Sequence, residues 1–217
     1  MKSFLPEDVY AYILQHNEPN LPKLVKSRID YTNSLHNAYL LTNLEQIKFI
    51  GELANIIACK KYLEIGVFTG VTALNIALNT DNAEIFLIDH KQSYIDSISE
   101  FFRENNLPNK LIPRVGAGVS IMEDMLEQHQ DSFDLIYVDA NKSDYIKYYN
   151  LAKKLIRING VILIDNVLMH AQVLQDIPNH KYVNKIKELN SIIAHDRDVS
   201  SVMMPFGDGL TMVRRVY

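Results

Sequence analysis

The chain has 217 residues, 47% of them hydrophobic and 22% charged, with a formal net charge of −4. That balance excludes a disordered or fibrous chain, and it argues against nucleic acid as a main partner because phosphate binding needs a strongly basic surface. The single cysteine, Cys59, allows no internal disulfide and no cysteine metal cluster; with Ala58 before it and a strand after it, Cys59 reads as a small core residue.

The opening Met1-Lys-Ser-Phe-Leu-Pro-Glu-Asp8 meets acid before it builds an apolar signal core. No later stretch reaches about 18 uninterrupted apolar residues, so we expect a cytoplasmic protein with no membrane partner. No composition shift marks a linker, and the length suffices for one sizeable core. The expectation is a single domain, 1–217, with N-terminal helices over 1–60 and an α/β core over 61–217.

Val9 and Ile13 share one helical face, and Pro19 and Pro22 interrupt it. Leu44, Ile47, Ile50, Leu53, Ala54 and Ile57 form the face of a further helix. These helices precede the sheet and are expected to contribute a lid over its ligand edge. From Lys61 onward short apolar runs at 62–65, 85–88, 111–115, 135–138 and 161–164 alternate with helical periodicity, the pattern of a mostly parallel sheet with crossover helices. Tyr94, Ile98, Phe101 and Phe102 mark one of those helix faces, and Tyr145, Tyr149, Ala152 and Ile156 mark another. After a helix carrying Tyr182, Ile186, Leu189 and Ile193, strand-like runs at 199–204 and 210–216 flank Pro205-Phe-Gly-Asp-Gly209, which suits an antiparallel hairpin.

Two stretches place acid and amide side chains where apolar strands end: Phe133-Asp-Leu-Ile-Tyr-Val-Asp139-Ala-Asn141-Lys142 and Gly160-Val-Ile-Leu-Ile-Asp165-Asn166. The first polar residues after a buried parallel strand fall on the carboxyl edge of the sheet, where open α/β folds bind ligands. Two carboxylates and an amide oxygen suit a hard divalent cation: Mg²⁺ first, with Mn²⁺ or Ca²⁺ able to use the same donors. For either stretch alone, capping of the next helix is an equal reading. Leu63-Glu64-Ile-Gly66-Val67-Phe-Thr-Gly70 ends the first strand with glycines four apart, which lets the backbone turn tightly beside a ligand. It is not the dinucleotide fingerprint, because the acid ahead of the glycines repels phosphate and attracts a sulfonium or ammonium group. Asp89 ends the second strand, where a carboxylate accepts hydrogen bonds from ribose hydroxyls or caps the helix starting near Lys91.

In this order the motifs resemble the class I S-adenosylmethionine-dependent O-methyltransferases, and within them the metal-dependent catechol and caffeoyl-CoA group. The resemblance is carried by Glu64-Ile-Gly-Val-Phe-Thr-Gly70, Asp89, the two acid-bearing stretches and the terminal Met204-Pro-Phe-Gly-Asp-Gly-Leu-Thr211. It implies a Rossmann-like α/β methyltransferase fold: a mostly parallel seven-stranded sheet with an antiparallel C-terminal strand pair, helices on both faces and extra N-terminal helices. It implies S-adenosylmethionine held at its methionine part by Glu64, Gly66 and the backbone of Val67, and at its ribose by Asp89. Thr42 would lie beside the cofactor, Thr72 at its carboxylate and Gly118 near its adenine, with Asp139 and Asn141 also bordering it.

The same resemblance makes Asp139, Asp165 and Asn166 the metal ligands, and assigns catalysis to Asp139 and to Lys142 as general base or hydroxyl activator. An ordinary lysine, pKa about 10.4, is a poor base at neutral pH, so Lys142 needs desolvation or a nearby cation for that role. Asn141 stands where many of the caffeoyl-CoA group have Asp. Met169 and His170 stand where the family often has Trp and then a polar residue that touches substrate. The implied partner is a small aromatic diol, catechol-like or caffeoyl-like, and the implied assembly is a homodimer. Two other readings stand beside this one. A nicotinamide-dependent oxidoreductase is disfavoured by Glu64 beside a two-glycine turn, and a catalytically silent cofactor-binding protein has no need of Asp139, Lys142, Asp165 and Asn166 together.

Overall fold

The computed structural model describes residues 5–177 and 181–217. The first four residues of the opening stretch therefore lie outside the described residues. Seven strands form one sheet in the order β3-β2-β1-β4-β5-β7-β6. The strands β1 (Lys61–Ile65), β2 (Glu84–Asp89), β3 (Lys110–Val115), β4 (Phe133–Val138) and β5 (Ile156–Asp165) run parallel. The hairpin of β6 (Val199–Met204) and β7 (Leu210–Arg215) closes one side, with β7 inserted antiparallel between β5 and β6. The expected architecture is thus the observed one.

Alternation along the strands builds two cores. Leu63 and Ile65 of β1 and Ile136 and Val138 of β4 point to the face covered by α6 (Gly118–His129), α7 (Tyr145–Leu155) and α8 (Val183–His195). Tyr62, Leu135 and Tyr137 point to the other, covered by α3 (Leu44–Ile56), α4 (Val71–Asn79) and α5 (Gln92–Glu104). This period-two division fixes each strand's register, because a slip of one residue would exchange its two faces. Cys59 is packed in the second core, where burial pushes its thiol up to about 12.

Several local readings are corrected. Ile156 does not continue the face of Tyr145, Tyr149 and Ala152 but opens β5, which begins as soon as α7 ends at Leu155. On α5 the inward residues are Ile95, Ile98 and Phe102, and Tyr94 lies at the ligand cleft instead. In α1 (Glu7–Asn17) no residue is fully buried and Val9 faces solvent, because the helix only touches α3 from outside. Between the prolines and α3 lies a further helix, α2 (Lys23–Asn33), which buries Val25, Arg28 and Thr32. Its inward face is half polar, so apolar periodicity does not reveal it.

The topology opens a crevice where the site is found. From β1 the chain moves outward to β2 and β3, then returns to β4 on the opposite flank, so the loops after β1 and β4 diverge. The loop after β1 runs hard against the end of β4. A β-carbon on Gly66 would lie 1.9 Å from the carbonyl oxygen of Asp139, and Gly66 has φ +90°. Only glycine fits there.

Candidate active site

A cleft of about 1040 Å³ lies at the carboxyl edge of the sheet, over the ends of β1, β2, β4 and β5. The connection from α2 to α3 and the first turn of α3, through Thr42 and Gln46, form its roof. Of residues 1–60, those lining the cleft are 39–43 and Gln46.

One end of the cleft is built on the glycine turn. The Asp89 carboxylate accepts hydrogen bonds from Val67 N at 2.9 Å and Phe68 N at 3.2 Å through one oxygen, and from Lys91 N at 2.9 Å through the other. Asp89 thus holds the turn into α5 through Lys91 N, and it also lines the cleft. Behind the turn Glu64 is 2% exposed and accepts a hydrogen bond from Tyr62 Oη at 2.9 Å. Burial, with the nearby charges of Asp139 and Asp89, raises its pKa well above the usual carboxylate range despite that bond. A cationic ligand group beside it relieves that cost. Glu64, Gly66, Val67 and Thr72 share a small recess with Thr42 and Asp139. Gly118, at the first turn of α6, lines the main cleft and packs so closely on Tyr148 that a β-carbon would lie 3.0 Å from its ring.

The other end gathers the acids. Lys142 Nζ donates to Asp139 Oδ1 at 3.0 Å, to Asn166 Oδ1 at 2.5 Å and to Tyr145 Oη at 2.5 Å. Asp139 and Asn166, 27 positions apart in the chain, thus direct oxygens at one ammonium. Asp165, 4% exposed, is close enough that burial and the Asp139 charge push its carboxyl well up. Burial pulls the Lys142 ammonium down, but Tyr145, Asp139 and Asp165 outweigh burial and raise its pKa above the ordinary lysine value. Among the described residues no three His, Cys, Asp or Glu side chains converge on one point. Two carboxylates and an amide oxygen are the donors at this end, with Asp139 and Asn166 bonded to the Lys142 ammonium; oxygen donors of this kind suit a hard cation.

The remaining expected residues divide. Met169 is buried and His170 exposed, and both line the cleft. Asn141 also borders it, yet its side chain is turned into its own loop, accepting from Ser143 N at 3.0 Å and donating to Asp144 Oδ2 at 2.7 Å. In that orientation it caps a turn.

Sequence reasoning missed three features. Asp208, from the terminal hairpin, reaches the cleft and accepts a hydrogen bond from His170 N at 2.5 Å. Met169, His170 and Ala171 form a run of left-handed backbone, with φ of 47°, 53° and 63°, and the Asp208 bond helps to hold it. Such conformations are costly for non-glycine residues, cluster at functional sites and carry no sequence signal in Met, His or Ala. Arg28 is 5% exposed, and its Nε donates to the carbonyl of Thr69 at 2.8 Å, fastening α2 to the glycine turn.

The profile of the O-methyltransferase family matches residues 15–216. A caffeoyl-CoA O-methyltransferase of Eucalyptus gunnii is 32% identical over 99% of this chain and 90% of its own. A probable caffeoyl-CoA O-methyltransferase of Dictyostelium discoideum is 30% identical, over 96% and 92%. An S-adenosylhomocysteine-bound methyltransferase from Podospora anserina shares the fold, with TM-score 0.83 over 100% of both chains at 22% identity. The glycine turn after β1, the acids at the strand ends and this match over nearly the whole chain agree: the chain belongs to the O-methyltransferase family, and within it to the class I S-adenosylmethionine-dependent enzymes its motifs resemble.

Proposed function

We propose that the protein transfers the methyl group of S-adenosylmethionine to one hydroxyl of a small catechol-like or caffeoyl-like aromatic diol, assisted by a divalent cation. The observation that carries this reading is the meeting of Asp139, Asn166 and Lys142 beside buried Asp165, in the cleft that Gly66 and Asp89 line at the other end, with Glu64 in the small recess behind. Similarity to caffeoyl-CoA O-methyltransferases supports the acceptor class.

In this reading Glu64, Gly66, the backbone of Val67 and Thr72 hold the methionine part of the cofactor, Thr42 lies beside it, Asp89 holds the ribose, and Gly118 leaves room for the adenine. Asp139, Asp165 and Asn166 hold the cation, Mg²⁺ in the first instance, which when bound lowers the pKa of a coordinated hydroxyl and fixes its direction. Lys142 acts from its charged form, orienting the acceptor oxygen and stabilising the negative charge that develops on it. The acceptor hydroxyl gives up its proton to solvent in the cleft, its oxygen attacks the methyl carbon in line, and the carbon–sulfur bond breaks with its electron pair going to sulfur, releasing S-adenosylhomocysteine. Because a sulfonium is already reactive, alignment supplies much of the acceleration. Met169 and His170 wall the acceptor. The proposal includes a single domain over 1–217, with the helices of 1–60 as lid, acting as a homodimer in the cytoplasm.

Paired variants test the assignment. Asp165→Ala should abolish metal-dependent turnover and keep S-adenosylmethionine binding, whereas Asp89→Ala should lose binding first. Equal loss of both in Asp165→Ala contradicts the placement of the cation, and unchanged affinity in Asp89→Ala contradicts that of the ribose. Calorimetric binding of NAD in place of S-adenosylmethionine would favour the oxidoreductase reading instead.

A further inference from the structure

We infer that Tyr137 and Gln46 are positioning residues for the Asp165 carboxylate, forming a relay from α3 through a phenol on β4 to the cation end of the cleft. Tyr137 lies two residues before Asp139 and is 1% exposed, in the core between the sheet and α3. Its Oη is 2.7 Å from Asp165 Oδ2 and 3.0 Å from Nε2 of Gln46, itself 1% exposed. The Gln46 amide N–H can only donate, so the phenol oxygen accepts from it, and the phenol's own O–H donates to Asp165.

The second oxygen of Asp165 accepts from Asn166 N at 2.7 Å. Both carboxylate oxygens are thus pinned by one donor each, and Asp165 lines the cleft. Tyr137 occupies a strand position packed among apolar neighbours such as Leu135 and Leu163, where a phenylalanine would fill the same space. A phenol buried there costs free energy unless it is bonded, so its hydroxyl is explained by the two bonds it makes. Thr42 Oγ1 lies 3.4 Å from the same oxygen, which brings the relay to the cofactor side of the roof. Removing a group that orients a metal-binding carboxylate typically costs about 10- to 100-fold in metal affinity.

This inference rests on the proposed cation site, and its test separates the two. Mg²⁺ and S-adenosylhomocysteine are titrated calorimetrically, one at a time, into the full chain and its variants. Tyr137→Phe should weaken Mg²⁺ about 10- to 100-fold and leave S-adenosylhomocysteine affinity as in the parent. Gln46→Leu should act in the same direction, and adding it to Tyr137→Phe should cost little more, because the amide acts through the phenol. Tyr62→Phe, which removes the buried phenol bonded to Glu64, should leave Mg²⁺ affinity unchanged. If the parent binds Mg²⁺ and Tyr137→Phe and Gln46→Leu bind it equally well, the relay is refuted while the cation site stands. Parallel loss of both ligands in Tyr137→Phe, or the same Mg²⁺ loss in Tyr62→Phe, reduces Tyr137 to a packing role and also refutes it. No Mg²⁺ binding by the parent removes the cation reading itself.

Discussion

Gly66→Ala isolates the close approach on which the cofactor end of the cleft is built. A β-carbon at 1.9 Å from the Asp139 carbonyl oxygen is far inside the 3.4 Å at which ordinary contact begins, so the turn must retreat by about 1.5 Å. The end of β4 has little room to yield, because Asp139 N is bonded to the carbonyl of Ile65 at 2.9 Å. An alanine in left-handed backbone costs about 1–2 kcal/mol, and retreat of the turn loses at least one charge-assisted bond from Val67 N or Phe68 N to Asp89, worth about 1.5–3 kcal/mol. The total is about 4 kcal/mol, which for a chain of this size lowers Tm by about 12 °C. Scanning calorimetry reads the stability, and titration with S-adenosylmethionine reads the site, where binding should be lost at temperatures at which the variant is still folded. A variant with parental Tm and parental affinity would refute both the packing and the cofactor assignment.

Lys142→Met should keep cofactor affinity and lower single-turnover methyl transfer by about 10²- to 10³-fold; a loss below about tenfold would remove Lys142 from the chemistry. Ala171→Gly should melt no lower than the parent, because glycine accepts the left-handed backbone at φ 63°, whereas β-branched Ala171→Val should melt lower. The reverse order would contradict the strained turn. Asp196 gives a pH test remote from the site. Burial pushes its carboxyl up, but hydrogen bonds from Lys153 at 2.6 Å and Tyr149 at 2.7 Å outweigh that and hold it below the usual range. A depressed carboxyl stabilises the fold above its unfolded pKa, and the contribution is lost as pH falls through the folded value. Asp196→Asn should therefore cost about 1–3 kcal/mol at pH 7, and its urea midpoint should approach the parent's below about pH 4. A gap independent of pH would show that the ion pair is not its source.

What was legible in the sequence follows from where each signal is written. Buried parallel strands are continuous apolar runs, so their ends, and the acids Asp89, Asp139 and Asp165 placed there, could be read directly. Gly66 and Gly70 announced the turn because no other residue adopts its backbone easily. Partners set by distant segments were not legible. Nothing near Tyr137 names Gln46, which lies 91 positions away, and nothing near His170 names Asp208, 38 positions on. Arg28 and Thr32 escaped notice because polar residues on an inward face break the period that reveals a helix. Ile156 was assigned to the wrong element because α7 passes into β5 with no intervening loop, and an apolar residue at that junction satisfies both periodicities.

The most direct test of the central claim is methyl transfer from S-adenosylmethionine to a panel of catechols and caffeoyl esters, run with Mg²⁺ and with EDTA. The account predicts a methylated hydroxyl on at least one acceptor in the presence of Mg²⁺, and its loss when the metal is chelated. Turnover that EDTA leaves untouched would contradict the role assigned to Asp139, Asp165 and Asn166. Absence of turnover across the panel, with the cofactor bound, would contradict the proposed acceptor class.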